Sequence, residues 1–91
     1  MERRHYIVHG RVQGVGFRAT IQQTAKQLDL VGWVKNKPDG TVELEAQGEQ
    51  EKLDDLQHEL EKGPTPFASV RHLDVSTVAI EKEEKKFRVI H

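Results

Sequence analysis

The 91-residue chain contains no cysteine. That excludes disulfides, thiolate zinc sites and a cysteine nucleophile together, and it accords with a reducing compartment. An excess of one charge is also missing: 14 Lys and Arg stand against 15 Asp and Glu, for a formal net charge of −1. No basic field therefore advertises a nucleic acid or an anionic membrane as a partner. Long apolar runs are absent. Nothing approaches the roughly 20 apolar residues of a membrane span, and the start, MERRHYIVHG, lacks the apolar stretch of a signal peptide. A cytoplasmic protein is the expectation.

What is present fits a small soluble domain. Hydrophobic residues make up 35% of the chain and charged residues 32%, which suits a thin core. The length predicts a single domain over 1–91, burying roughly 60–65% of its unfolded surface. Nothing demands an oligomer, so a monomer is expected.

Residues 5–12, HYIVHGRV, are rich in β-branched and aromatic residues and stop at a glycine run, which predicts a strand. From Phe17 the apolar spacing becomes helical, through Ile21, Ala25 and Leu28, with Gly32 as the stop. Residues 33–37, the turn Pro38-Asp39-Gly40 and residues 41–48 read as strand, turn, strand. Val42, Leu44 and Ala46 alternate there with Glu43, Glu45 and Gln47, so one face is buried and one solvated. Residues 49–62 carry Leu53, Leu56 and Leu60 on one helical stripe, and Gly63-Pro64 ends it. Residues 70–78 form a further strand with Leu73 and Val75 on one face, 81–86 a solvated turn, and 87–90 a short last strand.

This order predicts an α+β fold, a βαββαβ split sandwich with two helices on one face of a sheet, against other α+β arrangements. In a split βαβ unit the first two strands run parallel and the third lies between them. Their C-terminal ends leave the sheet at one edge, which brings Arg18 and Asn36 together.

The loop between the first strand and the first helix, GRVQGVGFR, offers no Ser, Thr, Asp or Asn to cap the helix. An anion held by backbone N–H groups would satisfy those donors, and Arg18 adds a permanently charged fork suited to phosphate oxygens. An ordinary turn followed by a solvated arginine is the competing reading. The loop is neither a Walker A sequence nor a dinucleotide fingerprint. It carries no nucleophile. His5 and His9 lie about 13 Å apart on one strand at ~3.3 Å per residue, too far to share a metal. His58, His72 and His91 each stand alone, so no metal is expected. Arg18, the N–H groups and Asn36 can stabilise a phosphoryl group and position a water, but no general acid accompanies them. That limits the chemistry to a leaving group that needs no proton. An acyl phosphate qualifies, because its carboxylic acid has a pKa of about 4 to 5, like a side-chain carboxyl.

The stretch Gly10-Arg11-Val12-Gln13-Gly14-Val15-Gly16-Phe17-Arg18 resembles the first signature of the acylphosphatase family, G-x-V-Q-G-V-x-F-R. Gly32-Trp33-Val34-Lys35-Asn36, with Gly40-Thr41-Val42 and Gly48, resembles the second, and Gly63-Pro64-Thr65-Pro66 resembles the family's helix exit. The resemblance covers essentially the whole chain. It implies a ferredoxin-like sandwich whose mostly antiparallel five-stranded sheet has order 4-1-3-2-5. It implies hydrolysis of a carboxyl-phosphate bond to a carboxylate and orthophosphate, with no metal, no cofactor and no phosphoenzyme. Arg18 matches the arginine that holds the phosphoryl group and Asn36 the asparagine that orients water. The backbone N–H groups of Gln13, Gly14, Val15, Gly16, Phe17 and Arg18 match the phosphate loop. The implied partners are a small acyl phosphate and inorganic phosphate, with no nucleic acid and no membrane. Ala19-Thr20-Ile21 and Lys37 fall where family members differ.

Two rival readings stay open. A ferredoxin-like RNA-binding sheet would want exposed aromatics and a basic surface. The outward Glu43, Glu45 and Gln47 and the net charge of −1 oppose it. Similar domains also precede larger carbamoyl-transferring maturation enzymes, and the chain's length favours a free-standing protein.

Overall fold

The computed structural model describes residues 1–91. The elements are β1 (Glu2–Arg11), α1 (Phe17–Gln27), β2 (Val31–Asn36), β3 (Val42–Gly48), α2 (Gln50–Lys62), β4 (Ser69–Val78) and β5 (Phe87–Ile90). The strands form one sheet in the order β4-β1-β3-β2-β5. β1 runs antiparallel to both β3 and β4, and β2 runs antiparallel to β3. The β2–β5 pair is parallel, so the sheet is mixed rather than mostly antiparallel as expected.

The alternation of side chains along the strands decides where the core lies. Tyr6, Val8, Val34, Leu44 and Ala46 are fully buried on one face. Phe17, Ile21 and Ala25 of α1 and Leu53, Leu56 and Leu60 of α2 pack onto that face in one cluster. The register Tyr6↔Leu44 and Val34↔Leu44 brings β1 and β2 to either side of β3, both antiparallel to it. β1 and β2 are therefore parallel to each other, and their C-terminal ends share an edge.

α1 ends earlier than its glycine suggested. Leu28 is the C-cap, and the chain turns at Asp29, a non-glycine residue at φ 57°. Gly32 lies inside β2 opposite Ala46, so it is not a helix stop. Its φ is +146°, and a Cβ there would sit 1.9 Å from the Glu45 carbonyl oxygen. Close strand approach, not helix termination, requires that glycine.

The face without helices is less solvated than the alternating glutamates implied. Arg3 is 3% exposed and Gln47 5%. The segment between β4 and β5 folds over them: Glu84 pairs with Arg3 Nη2 at 3.1 Å, and the Glu81 amide donates to Gln47 Oε1 at 2.8 Å. Glu45 accepts from Arg3 Nε at 2.6 Å. Burial works against the Arg3 charge, but Glu45 and Glu84 outweigh it and raise the guanidinium pKa. Residues 81–86 thus form a clasp as well as a turn. β4 is a largely exposed edge strand, and Val75, expected inward beside Leu73, is 41% exposed.

Candidate active site

The chain leaves β1 at Arg11 and enters α1 at Phe17 through a loop bent by two left-handed glycines, Gly14 at φ 72° and Gly16 at φ 76°. A Cβ at either position would meet nothing within 4 Å, so backbone angle rather than space selects glycine. Gly16 is the N-cap of α1 and no side chain caps the helix. The Thr20 amide is the first to find a helical acceptor, the Gly16 carbonyl, at 3.2 Å. Helix geometry leaves the amides of Phe17, Arg18 and Ala19 without one. They are donors at the positive end of the helix dipole, beside Arg18.

Gln13 ties this loop to the β2–β3 hairpin. Its side-chain amide nitrogen donates to the carbonyls of Lys37 and Thr41, both at 2.8 Å. The hairpin is braced from within. Lys37 N–H reaches the Thr41 carbonyl at 2.9 Å, and Asp39 accepts from the Thr41 hydroxyl at 2.6 Å and amide at 3.0 Å. Those two Thr41 donors hold the Asp39 carboxyl below its ordinary pKa. Asn36, at the end of β2, is thereby held beside the loop.

A cavity of about 350 Å³ opens at this edge. Gly14, Gly16, Phe17, Arg18 and Asn36 line it, so the two side chains singled out in the sequence share one space. Two of the expected loop residues do not line it. Gln13 turns to the hairpin, and Val15 packs against the core. No lining side chain is acidic, and Arg18 and the amino end of α1 both contribute positive charge at this edge. Asn36 Oδ1 is buried with no hydrogen-bond partner. A buried amide oxygen without a donor is costly, and it marks a place where a ligand's or a water's hydrogen would be accepted.

The far side of the cavity is built by residues that sequence spacing did not single out, among them Ala19 and Gln22 of α1, Val89 of β5, and His91. Gln22 donates to the Phe87 carbonyl at 3.1 Å, which joins α1 to β5. His91, expected to stand alone, accepts a long 3.4 Å contact from Arg18 Nη1. The parallel register Lys35↔Ile90 explains its place, because the residues that follow that pair are Asn36 and His91. Only knowledge of the β2–β5 pairing could have revealed it. His72 is not isolated either, since its ring centre lies 5.3 Å from that of His9. His5 meets Glu43 at 2.7 Å.

A five-stranded mixed sheet with two helices on one face, and a glycine-bent loop that presents bare helix amides beside an arginine, defines a protein of ferredoxin-like fold. The acylphosphatase family model matches residues 4–89. An acylphosphatase of Oceanobacillus iheyensis is 50% identical over 82 residues, 90% of each chain. One from Geobacillus thermodenitrificans is 45% identical over all 91 residues, 96% of its own length. The crystal structure of acylphosphatase from Bacillus subtilis superposes with a TM-score of 0.94 at 36% identity, covering 100% of both chains. The chain belongs to the acylphosphatase family.

Proposed function

We propose that this protein hydrolyses the carboxyl-phosphate bond of small acyl phosphates to a carboxylate and orthophosphate, by direct attack of a water. Of the 13–18 loop, Gly14, Gly16, Phe17 and Arg18 line the cavity, and the phosphoryl oxygens accept from their backbone amides and from the Arg18 guanidinium. Asn36 Oδ1 accepts a hydrogen from the attacking water and aims its oxygen at phosphorus. The P–O bond to the acyl group breaks as the new one forms, and the carboxylate departs with the electron pair. The water's protons pass to the product phosphate and to solvent. No acid is required, because the leaving carboxylate is stable at neutral pH. No metal is required in this scheme either, since Arg18 and fixed N–H dipoles supply the charge stabilisation.

The observation that carries this reading is the buried, unpartnered Asn36 Oδ1 in the same cavity as Arg18 and the loop. The test is hydrolysis of benzoyl phosphate against a simple alkyl phosphate, with and without a chelator, for wild type and Arg18→Ala. Turnover should be confined to the acyl phosphate, survive the chelator, and fall about 10²–10³-fold in the variant, the usual worth of one charge-stabilising donor. Failure of well-folded wild-type protein to turn over benzoyl phosphate would refute the hydrolytic reading.

A further inference from the structure

A second cluster of ligating groups lies on the helix-free face, on the β1–β4 pair. His9 and His72 are directly opposite each other across the strands. Directly opposed residues hold their Cβ atoms about 5 Å apart. Asp74 follows His72 by two residues, so it points to the same face. His9 Nε2 lies 2.8 Å from Asp74 Oδ2, and His72 Nε2 lies 2.7 Å from Asp74 Oδ1. Each imidazole therefore addresses one oxygen of a single carboxylate. The side chains are 38%, 64% and 56% exposed for His9, His72 and Asp74, so solutes reach all three. None of them lines the cavity that holds Arg18 and Asn36.

We propose that His9, His72 and Asp74 form a surface site for a divalent transition metal of the zinc class, held by the two Nε2 atoms and the Asp74 carboxylate. As the side chains stand, they are hydrogen-bonded to one another, and neither they nor any other group of three His, Asp or Glu side chains is arranged to hold a metal ion without rearrangement. The rearrangement needed is small. Two imidazoles on one tetrahedral zinc, at Zn–N of about 2.0–2.1 Å, have ring centres roughly 5 Å apart. The observed separation is 5.3 Å. Nitrogen and oxygen ligands of such a zinc lie roughly 3 Å apart, so the present contacts must lengthen by only about half an ångström. The metal takes the place of hydrogen at each Nε2: a neutral ring then carries its single proton on Nδ1, and a ring that starts as imidazolium gives its second proton to solvent. Imidazole donors suit Zn²⁺, Ni²⁺ and Cu²⁺, whereas Mg²⁺ and Ca²⁺ prefer all-oxygen sites. The two histidines are far apart in the chain and come together only when β1 and β4 pair. The metal therefore binds the folded protein in preference to the unfolded one and cross-links an edge strand to the centre of the sheet.

The test is thermal unfolding and calorimetric titration with Zn²⁺ or Ni²⁺, against Mg²⁺, for chelator-treated wild type, His9→Ala, His72→Ala and Asp74→Asn. His58→Ala serves as a control for scattered surface histidines. With Zn²⁺ at a hundredfold excess over Kd, the linkage relation gives a Tm rise on the order of 10 °C for a domain of this size. One metal per chain and a rise lost in both histidine variants, reduced in Asp74→Asn, kept in His58→Ala and absent with Mg²⁺ is the expected result. No Tm rise in wild type, or a full rise in any of the three ligand variants, would overturn the site. The readout is independent of turnover, so it stands apart from the hydrolytic reading.

Discussion

Gln13→Ala would test how the two halves of the active site are joined. The Gln13 amide is the side-chain link from the loop before α1 to the hairpin behind Asn36, through its two 2.8 Å bonds. Neither acceptor is orphaned by the change: Lys37 O still receives the Gly40 amide at 3.1 Å, and Thr41 O still receives the Lys37 amide at 2.9 Å. The loss is therefore two net hydrogen bonds at about 0.5–1.5 kcal/mol each, without the added cost of stranded carbonyls. Urea unfolding should report a destabilisation of roughly 1–3 kcal/mol at unchanged m. Gln13→Glu sharpens the point. A carboxylate of the same shape would face two carbonyl oxygens with nothing to donate. It should cost more than Ala at pH 7, and its folded pKa should lie above the ordinary glutamate value of about 4.3. The sign follows: the extra penalty is present above that folded pKa and fades as pH falls below it, because the protonated carboxyl can donate one bond. Comparing the two variants at each pH removes the general effect of acid. A stability change in Gln13→Ala under 0.3 kcal/mol, about half the smallest value for a single bond, or a Gln13→Glu penalty that does not depend on pH, would refute the reasoning.

Asn36→Ala should lower kcat with little change in inhibition by inorganic phosphate, measured on benzoyl phosphate, because its proposed partner is the water. Gly16→Ala and Gly32→Ala should separate strain from collision. The first forces a left-handed alanine into open space and should cost about 1–2 kcal/mol in chemical denaturation. The second drives a Cβ to 1.9 Å from the Glu45 carbonyl and should leave little folded protein by circular dichroism. Tyr6→Phe should be neutral or stabilising at pH 7, since the Tyr6 hydroxyl is buried without a partner. Burial pushes that phenol from 10.0 up to about 12, against the pull of Arg4. Stability thus falls as pH rises from 10 toward 12, where only the unfolded phenol ionises, and the variant should flatten that alkaline limb in a pH series of melting curves.

Most of the fold was legible because its signals are local. Leu53, Leu56 and Leu60 had to share a helix face, and Val42, Leu44 and Ala46 a strand face, and all six are fully buried. The bare N-terminus of α1 could be read from the missing cap residues. The shared cavity of Arg18 and Asn36 followed from the split βαβ topology. What escaped was long-range. Gly32 reads as a helix stop until β3 is laid against it. Gln47 reads as a solvated residue until the segment around Glu81 folds over it. His91 and His72 read as solitary because their neighbours, Arg18 and His9, lie more than sixty residues away in the chain. Local periodicity does not encode such pairings, which depend on strand order and on the direction of the terminal strand.

The terminal strand has its own consequence. β5 is four residues long and pairs with β2 alone, yet Val89 and the adjoining His91 wall the cavity opposite the loop. The loop itself is anchored on β1, a ten-residue strand bonded on both sides. The site is thus shared between the most and the least firmly seated parts of the sheet. Short edge strands open first in native-state fluctuations. In mild denaturant such an opening would unwall the cavity and free Phe87 and the adjoining side of α1, while β1, β3 and α2 kept their native packing. Inactivation would then run ahead of global unfolding, and amide exchange at residues 87–90 would follow the loss of turnover rather than the loss of the fold.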